Sequence, residues 1–231
     1  MKRALITGAN RGIGFAFVKA LSDCGFTVFA TCRNPDEAKS LQELSQSHEQ
    51  VSIKTLDITD DNNIQRLADE LSDTPIDWLI NNAGISGEQG VTVGNIERDN
   101  FLNVFEVNCL SALKVSEAFL PQVSKSQDKL IVCISSRMGS ISDNERGRSY
   151  AYRTSKAALN CAMRSFAIDV AKDNINVMLL HPGWVKTDMG GEKGALEPEE
   201  SVRRMLSIIE QHKNNSHADV LWSHEGTIIE W

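Results

Sequence analysis

"ALITGANRGIG", residues 4–14, decides the fold. A short apolar run ends in a glycine-spaced turn, and the next stretch, "GIGFAFVKALSDCG" (12–25), changes to helical periodicity. Glycines at 8, 12 and 14 let the chain turn tightly and let an anion approach the backbone. The helix that follows offers free N–H groups and the positive end of its dipole. Strand, glycine turn and helix in this order make a pyrophosphate cradle, so Gly8, Asn10, Arg11, Gly12, Ile13 and Gly14 are candidate dinucleotide contacts. The spacing is G-x-x-x-G-x-G rather than G-x-G-x-x-G, so the turn taken alone also reads as a glycine turn without a ligand.

Outward from this unit the same alternation repeats. Apolar runs at 27–31, 51–56, 78–80, 130–135, 176–180 and 218–222 read as further strands. Between them lie helical patterns such as "DDNNIQRLADELSD" (60–73) and "NVFEVNCLSALKVSEAFL" (103–120). Near-continuously apolar strands separated by helices indicate a parallel sheet covered on both faces. Right-handed crossovers make that a doubly wound, Rossmann-type α/β sheet of about seven strands. No Pro/Gly/Ser linker divides the 231 residues, so residues 1–231 read as one dinucleotide-binding domain.

Composition narrows the function. A net charge of −7 with scattered Lys and Arg argues against nucleic acid or an anionic membrane as partner. The apolar run in "MKRALITG" is too short for a signal peptide, and no stretch approaches the ~20 residues of a membrane span. Five cysteines with no C-x-x-C pair read as reduced thiols of a cytoplasmic protein. Cysteines and histidines show no metal-ligand spacing, and no metal is expected.

The end of the second strand selects the cofactor. A dinucleotide fold that binds NAD places an acid there for the ribose hydroxyls. Here "VFATCRNP" (28–35) puts Cys32 at that position and Arg33 after it. A carboxylate repels a 2′-phosphate, whereas a guanidinium binds it through charge-assisted hydrogen bonds. With Arg11 within reach from the glycine turn, NADP(H) is favoured over NAD(H).

In "SYAYRTSKAALN" (149–160), Tyr152 and Lys156 are four residues apart and share a helix face. Taken alone they are an ordinary surface pair. Their neighbours change that reading. TGANRGIG (7–14), Asp57-Ile58, NNAG (81–84), Asn108, ISS (134–136), Tyr152-x-x-x-Lys156 and HPGWVKTDM (181–189) occur in this order along almost the whole chain. The chain therefore resembles the short-chain dehydrogenase/reductase family. The "SSRMGS" (135–140) and "WSHEGTIIEW" (222–231) stretches resemble its C-factor-like and sniffer-like carbonyl reductase branch.

The resemblance implies a catalytic tetrad of Asn108, Ser136, Tyr152 and Lys156. Tyrosine, with a pKa of about 10, is a poor base near neutrality, and stabilising its anion there takes about 4 kcal/mol of differential interaction. An ammonium and an oxidised nicotinamide beside it act in that direction. Lys156 would also hold the nicotinamide ribose, Ser136 the substrate oxygen, and Asn108 a water-mediated relay to Lys156. Ser135 is the rival serine, and the motif favours Ser136. Asp57 and Ile58 would meet the adenine, although Asp57 reads equally well as a turn cap. Asn82, Ala83 and Gly84 would pass beneath the adenine ribose. Pro182, Gly183, Val185 and Thr187 would frame the nicotinamide carboxamide. His181 reads as a satisfied, non-catalytic histidine.

The chain also departs from the pattern. Tyr152 follows Ser136 by sixteen residues, longer than the family's usual spacing, the surplus lying in "SDNERGRSY" (142–150). "MGGEKGALE" (189–197) stands where relatives often carry an apolar lid, so the rim offers little apolar surface and suits a small carbonyl compound or its alcohol. An oxidoreductase with Tyr152 as proton donor or acceptor is the first expectation. A dinucleotide-binding sensor or signalling protein with little turnover is the alternative. Apolar and small residues on several sides of the Asn108 and Tyr152 helices suggest self-association, as a homodimer or homotetramer.

Overall fold

In a computed structural model that describes residues 1–231, strand and helix alternate from the first residues onward. β1 (Arg3–Ile6) runs through the glycine turn into α1 (Gly12–Asp23), followed by β2 (Thr27–Cys32), α2 (Lys39–Ser47), β3 (Val51–Thr55) and α3 (Asp61–Glu70). The second half begins with β4 (Trp78–Asn81), α4 (Arg98–Phe105), a π-helical turn (Glu106–Leu110), α5 (Ser111–Ala118) and α6 (Leu120–Ser124). It continues with β5 (Leu130–Ile134), α7 (Tyr150–Val170), β6 (Asn176–His181), α8 (Pro198–His212), β7 (His217–Ser223) and β8 (Ile228–Ile229).

The strands form one sheet of eight in the order β3-β2-β1-β4-β5-β6-β7-β8. β1 to β7 pair in parallel, as expected, and the additional β8 pairs antiparallel with β7. β8 has two residues, too few to show any alternation.

Because side chains alternate across a strand, each strand feeds two cores. Ala4, Ile6, Val28, Ala30, Ile80, Val132 and Leu180 pack with Phe17 of α1 and Val202 and Met205 of α8. Leu5, Phe29, Leu79, Ile131 and Leu179 face the other way, onto Leu67 of α3, Val115 of α5 and Leu159 and Met163 of α7. Fully burying one such side chain contributes about 2 kcal/mol, so this two-sided burial enforces the doubly wound arrangement. No helix is long and apolar enough to cross a membrane, and all five cysteines are free.

The strand order reverses between β1 and β4: β2 and β3 lie on one side of β1, and β4 to β7 on the other. At such a switch point the loops leaving neighbouring strands diverge and open a crevice at the carboxyl ends of the strands. The glycine turn after β1 and Asn82–Gly84 after β4 border that crevice.

Candidate active site

The glycine turn is held from below by β4. The Thr7 hydroxyl accepts from the Asn82 and Ala83 N–H groups, each at 3.0 Å. Asn82 Nδ2 donates to the carbonyls of Thr7 and Gly8 at 2.9 and 3.1 Å. Gly8 has φ +62° and sits so close to β4's loop that a Cβ would lie 3.0 Å from Ala83 Cα. At Gly14 a Cβ would come within 2.2 Å of the Gly8 carbonyl oxygen. No side chain caps the start of α1, which leaves its first N–H groups facing the crevice mouth. This is a cradle that fits a pyrophosphate: an uncapped helix N-terminus, with glycines where a Cβ would press on the turn itself. Asn82, expected beneath the ribose, here braces the turn itself.

Arg33 follows β2 on the exposed side of the crevice, while Cys32 is buried and its thiol pKa is pushed up by burial. Asp57 is committed locally. Its carboxylate accepts from the Thr59 N–H at 3.0 Å and the Thr59 hydroxyl at 2.8 Å, and these bonds with the nearby Arg33 charge hold its pKa below the usual carboxylate value. The turn-cap role weighed from sequence is thus the one its side chain fills. Arg11 is not free above the turn either: its Nη1 pairs with Asp188 Oδ2 at 2.6 Å.

On the other side of β4 the expected tetrad converges. Tyr150 is the first residue of α7, so Tyr152 and Lys156 lie in its first two turns. Lys156 is buried, and its Nζ donates to the Ile134 carbonyl at the end of β5 at 2.8 Å and lies 5.9 Å from the centre of the Tyr152 ring. Gly139, in the turn after Ser136, lets that turn press onto α7: a Cβ there would lie 2.8 Å from the Lys156 carbonyl carbon. The two serines divide their work. Ser135 Oγ donates to Asn160 at 2.6 Å, inside the fold, whereas Ser136 Oγ accepts from the Met138 N–H at 3.1 Å and lies beside the Tyr152 hydroxyl.

Asn108 sits in the π-helical turn and is buried. Its Oδ1 accepts from the Ile85 N–H at 2.8 Å, and its Nδ2 donates to the Ile85 carbonyl at 2.8 Å and to Ser155 Oγ at 3.0 Å. Ser155 Oγ in turn donates to the Tyr152 carbonyl at 2.8 Å. Both amide protons are therefore spent, and Asn108 has left only a lone pair on Oδ1. A Cβ on Gly84 would lie 3.0 Å from that oxygen and 3.7 Å from Lys156 Nζ, so glycine keeps open the space between them.

Burial controls the charges. It lowers the Lys156 pKa from 10.5 to about 8 and raises that of Tyr152, with the Ser136 hydroxyl acting the other way. Burial thus favours the neutral phenol, the form in which Tyr152 can donate a proton. His181 departs from expectation. Its Nδ1 has no hydrogen-bond partner, the His224 ring stands edge-on at 6.0 Å, and burial holds its pKa down at about 3.

A family model described as short chain dehydrogenase matches residues 2–197. The chain belongs to the short-chain dehydrogenase family. It is 41% identical to the C-signal protein of Myxococcus xanthus over 157 residues, covering 68% of this chain and 93% of that one. Its fold superposes on the NADPH-bound carbonyl reductase from chicken fatty liver with a TM-score of 0.91 and 36% identity, covering 100% and 99% of the two chains. With the carbonyl reductase Sniffer of D. melanogaster the TM-score is 0.91 at 32% identity, over 100% of each chain.

In this short-chain dehydrogenase the segment after β6 carries more apolar surface than its composition suggests. Pro182 and Val185 are buried, Gly183 has φ +87°, and Trp184 and Met189 are 55% and 45% exposed. Thr187 meets the glycine turn, since a Cβ on Gly12 would lie 3.1 Å from its Cγ2. Beside Tyr152 a recess lined by Ser86, Val91, Ser149 and Tyr150 adjoins a polar groove of about 500 Å³ along Glu88, Asp99, Asn100 and Asn103. Ser155, Asp188 and the Ile134 carbonyl are the participants that sequence reasoning did not single out.

Proposed function

We propose that the chain is an NADP(H)-dependent carbonyl reductase in which Tyr152 donates the proton to the carbonyl oxygen of a small substrate. The observation that carries this reading is the convergence of Tyr152, Lys156, Ser136 and Asn108 beside an open glycine cradle. A binder without turnover has no use for a buried lysine fastened next to a neutral phenol.

When bound, the nicotinamide cofactor supplies or takes up the hydride. The remaining work falls to the chain. The Ser136 hydroxyl and the Tyr152 phenol lie together and would both meet the substrate oxygen, and the raised pKa keeps Tyr152 protonated, as an acid must be. Lys156 is tied to the Ile134 carbonyl through one N–H, with two left for a ribose and a water. Asn108 takes part as an acceptor, through its remaining Oδ1 lone pair in the gap above Gly84. In the reverse direction the same groups carry the proton outward.

NADP(H) is favoured because Arg33, rather than an acid, follows Cys32 at the end of β2, and because the chicken carbonyl reductase binds NADPH. The rest of the cofactor would lie along Gly8, Asn10, Gly12, Ile13, Gly14, Ile58, Ala83 and Gly84 to Pro182, Gly183, Val185 and Thr187. Leu102, Leu110 and Ile168 are 56%, 44% and 60% exposed on α4, the π-helical turn and α7, which supports pairing of two copies through these helices. Light scattering should show a dimer or tetramer at micromolar concentration. Five free thiols suit a reducing, cytoplasmic setting.

The test is NADPH oxidation with a panel of aldehydes, ketones and quinones, repeated with NADH. Turnover with NADPH on some member is the expected result. No turnover across the panel, with NADPH still binding, would favour the sensor reading instead.

A further inference from the structure

The ion pair between Arg11 and Asp188 joins two loops that the sheet keeps well apart. Arg11 follows β1 and Asp188 follows β6, with β4 and β5 between them. Three strand spacings amount to about 14 Å. A contact between these loops therefore crosses the carboxyl ends of β4 and β5, where Asn82–Gly84 and Ser136 stand. The pair bridges the mouth of the crevice that would hold the dinucleotide.

The segment carrying Asp188 is cross-linked within itself. The Trp184 carbonyl accepts from the N–H groups of Ala195 and Leu196, the Lys186 N–H donates to Leu196, and the Gly191 N–H donates to Thr187. Trp184 Nε1 closes the coil on the Gly190 carbonyl at 2.8 Å. Gly190 and Gly194 are required by this coiling, since a Cβ would come within 2.0 Å of the Val185 carbonyl oxygen and 2.5 Å of the Lys186 nitrogen. The flap is thus internally hydrogen-bonded, and its tip meets the glycine turn through the van der Waals contact at Thr187 and the one ion pair. Both partners of that pair are more than two-thirds exposed, at 71% and 74%, so it breaks and re-forms at little cost.

We infer that Asp188 is a positioning residue: through Arg11 it clasps the 184–196 flap across the cofactor crevice and sets the rate at which the dinucleotide enters and leaves. This rests on the proposed cofactor site. The clasp spans the part of the crevice that NADPH and NADH would share, so it slows exchange of both. A clasp that closes alike over the empty and the filled crevice changes rates in both directions and leaves affinity nearly unchanged.

Stopped-flow fluorescence of NADPH and NADH binding to the full chain tests this. Asp188→Asn should raise association and dissociation rate constants of both cofactors together by about threefold, the size expected for an exposed ion pair, with each Kd within about twofold. Added salt should speed exchange in the unaltered protein and have less effect in the variant. Asp188→Glu, which keeps the charge, should keep the slow rates. Unchanged rates in Asp188→Asn would overturn the clasp while leaving the cofactor site intact. A change in NADPH affinity alone would also overturn it, placing Asp188 in competition with the 2′-phosphate for Arg11. Failure of the unaltered chain to bind either cofactor would overturn the cofactor site, and the clasp with it.

Discussion

The two halves of the crevice are built on different principles. On the β4–β6 side the polar groups are buried and fastened: Lys156 to the Ile134 carbonyl, Asn108 to Ile85 and Ser155, Ser135 to Asn160. On the β1–β3 side the charged groups stand in solvent: Arg11 with Asp188, and Arg33 near Asp57. Buried groups act in a low dielectric where one atom's displacement matters, so this half suits bond making. Exposed charges are screened and each is worth little, so the other half suits the choice between two cofactors that differ by one phosphate.

The contrast predicts a gradient of mutational effects. The largest lies at Tyr152. Tyr152→Phe keeps the ring and removes the acid, and carbonyl reduction should fall at least about a hundredfold while NADPH affinity stays within about twofold. Near-normal turnover on a good substrate would place Tyr152 outside the chemistry. Lys156→Ala should lose turnover and weaken cofactor binding as well, because it would remove the donor proposed for the ribose and a charge from the same pocket; titration of NADPH fluorescence separates the two losses.

The next effect is one of pH. Burial lowers the Lys156 pKa to about 8, so its charge in the free enzyme is present below that value and lost above it. kcat/KM for reduction should therefore decline as pH rises through about 8, and a rate still flat at pH 10 would separate activity from the Lys156 charge. The same shift has a stability consequence. The unfolded lysine titrates near 10.5, so the penalty for burying the charge applies in full below about 8 and fades as pH rises toward 10.5.

Smaller effects belong to the exposed half. Arg33→Ala should reduce the preference for NADPH over NADH by about tenfold, equivalent to about 1.4 kcal/mol, with NADH affinity unchanged. Smallest is Asp57→Asn, which disturbs the Thr59 turn. It should cost less than about 1 kcal/mol in thermal unfolding at pH 7 and shift NADPH affinity by less than about twofold. A tenfold effect there would mean that the adenine side is as tightly determined as the catalytic side.

The same division explains what could be read from sequence. The seven longer strands are legible because burial on both faces demands unbroken apolar runs, and Tyr152 and Lys156 are legible because a helix fixes their common face. The glycine turn is legible because no other residue fits against Ala83 and the Gly8 carbonyl. What eluded the sequence depends on partners far along the chain. Asp188 meets Arg11 across 177 residues, and nothing local marks either as paired. His181 looks satisfiable until His224 is brought up against it without a donor or acceptor for Nδ1. The burial that favours a neutral Tyr152 is a property of the whole pocket, whereas the spacing of Tyr152 and Lys156 reports only their proximity. The flap, read as a polar substitute for a lid, gains its shape from backbone bonds that composition does not display.

The π-helical turn at Glu106–Leu110 has a consequence for how this chain tolerates changes in length. A π-turn carries one residue more than the α-helix around it, and each α-helical residue advances about 100°. Deleting any one residue between 106 and 110 would let an uninterrupted α-helix form and leave α4 and α5 near their present faces, because the wide turn is what absorbs the extra residue; what would be lost is the turn itself. Asn108, in the middle of that turn, would lose the local geometry that aims it at Ile85 and Ser155. Loss of a single codon here is therefore expected to be worse tolerated than most single substitutions in the same segment, even though it leaves a better helix behind.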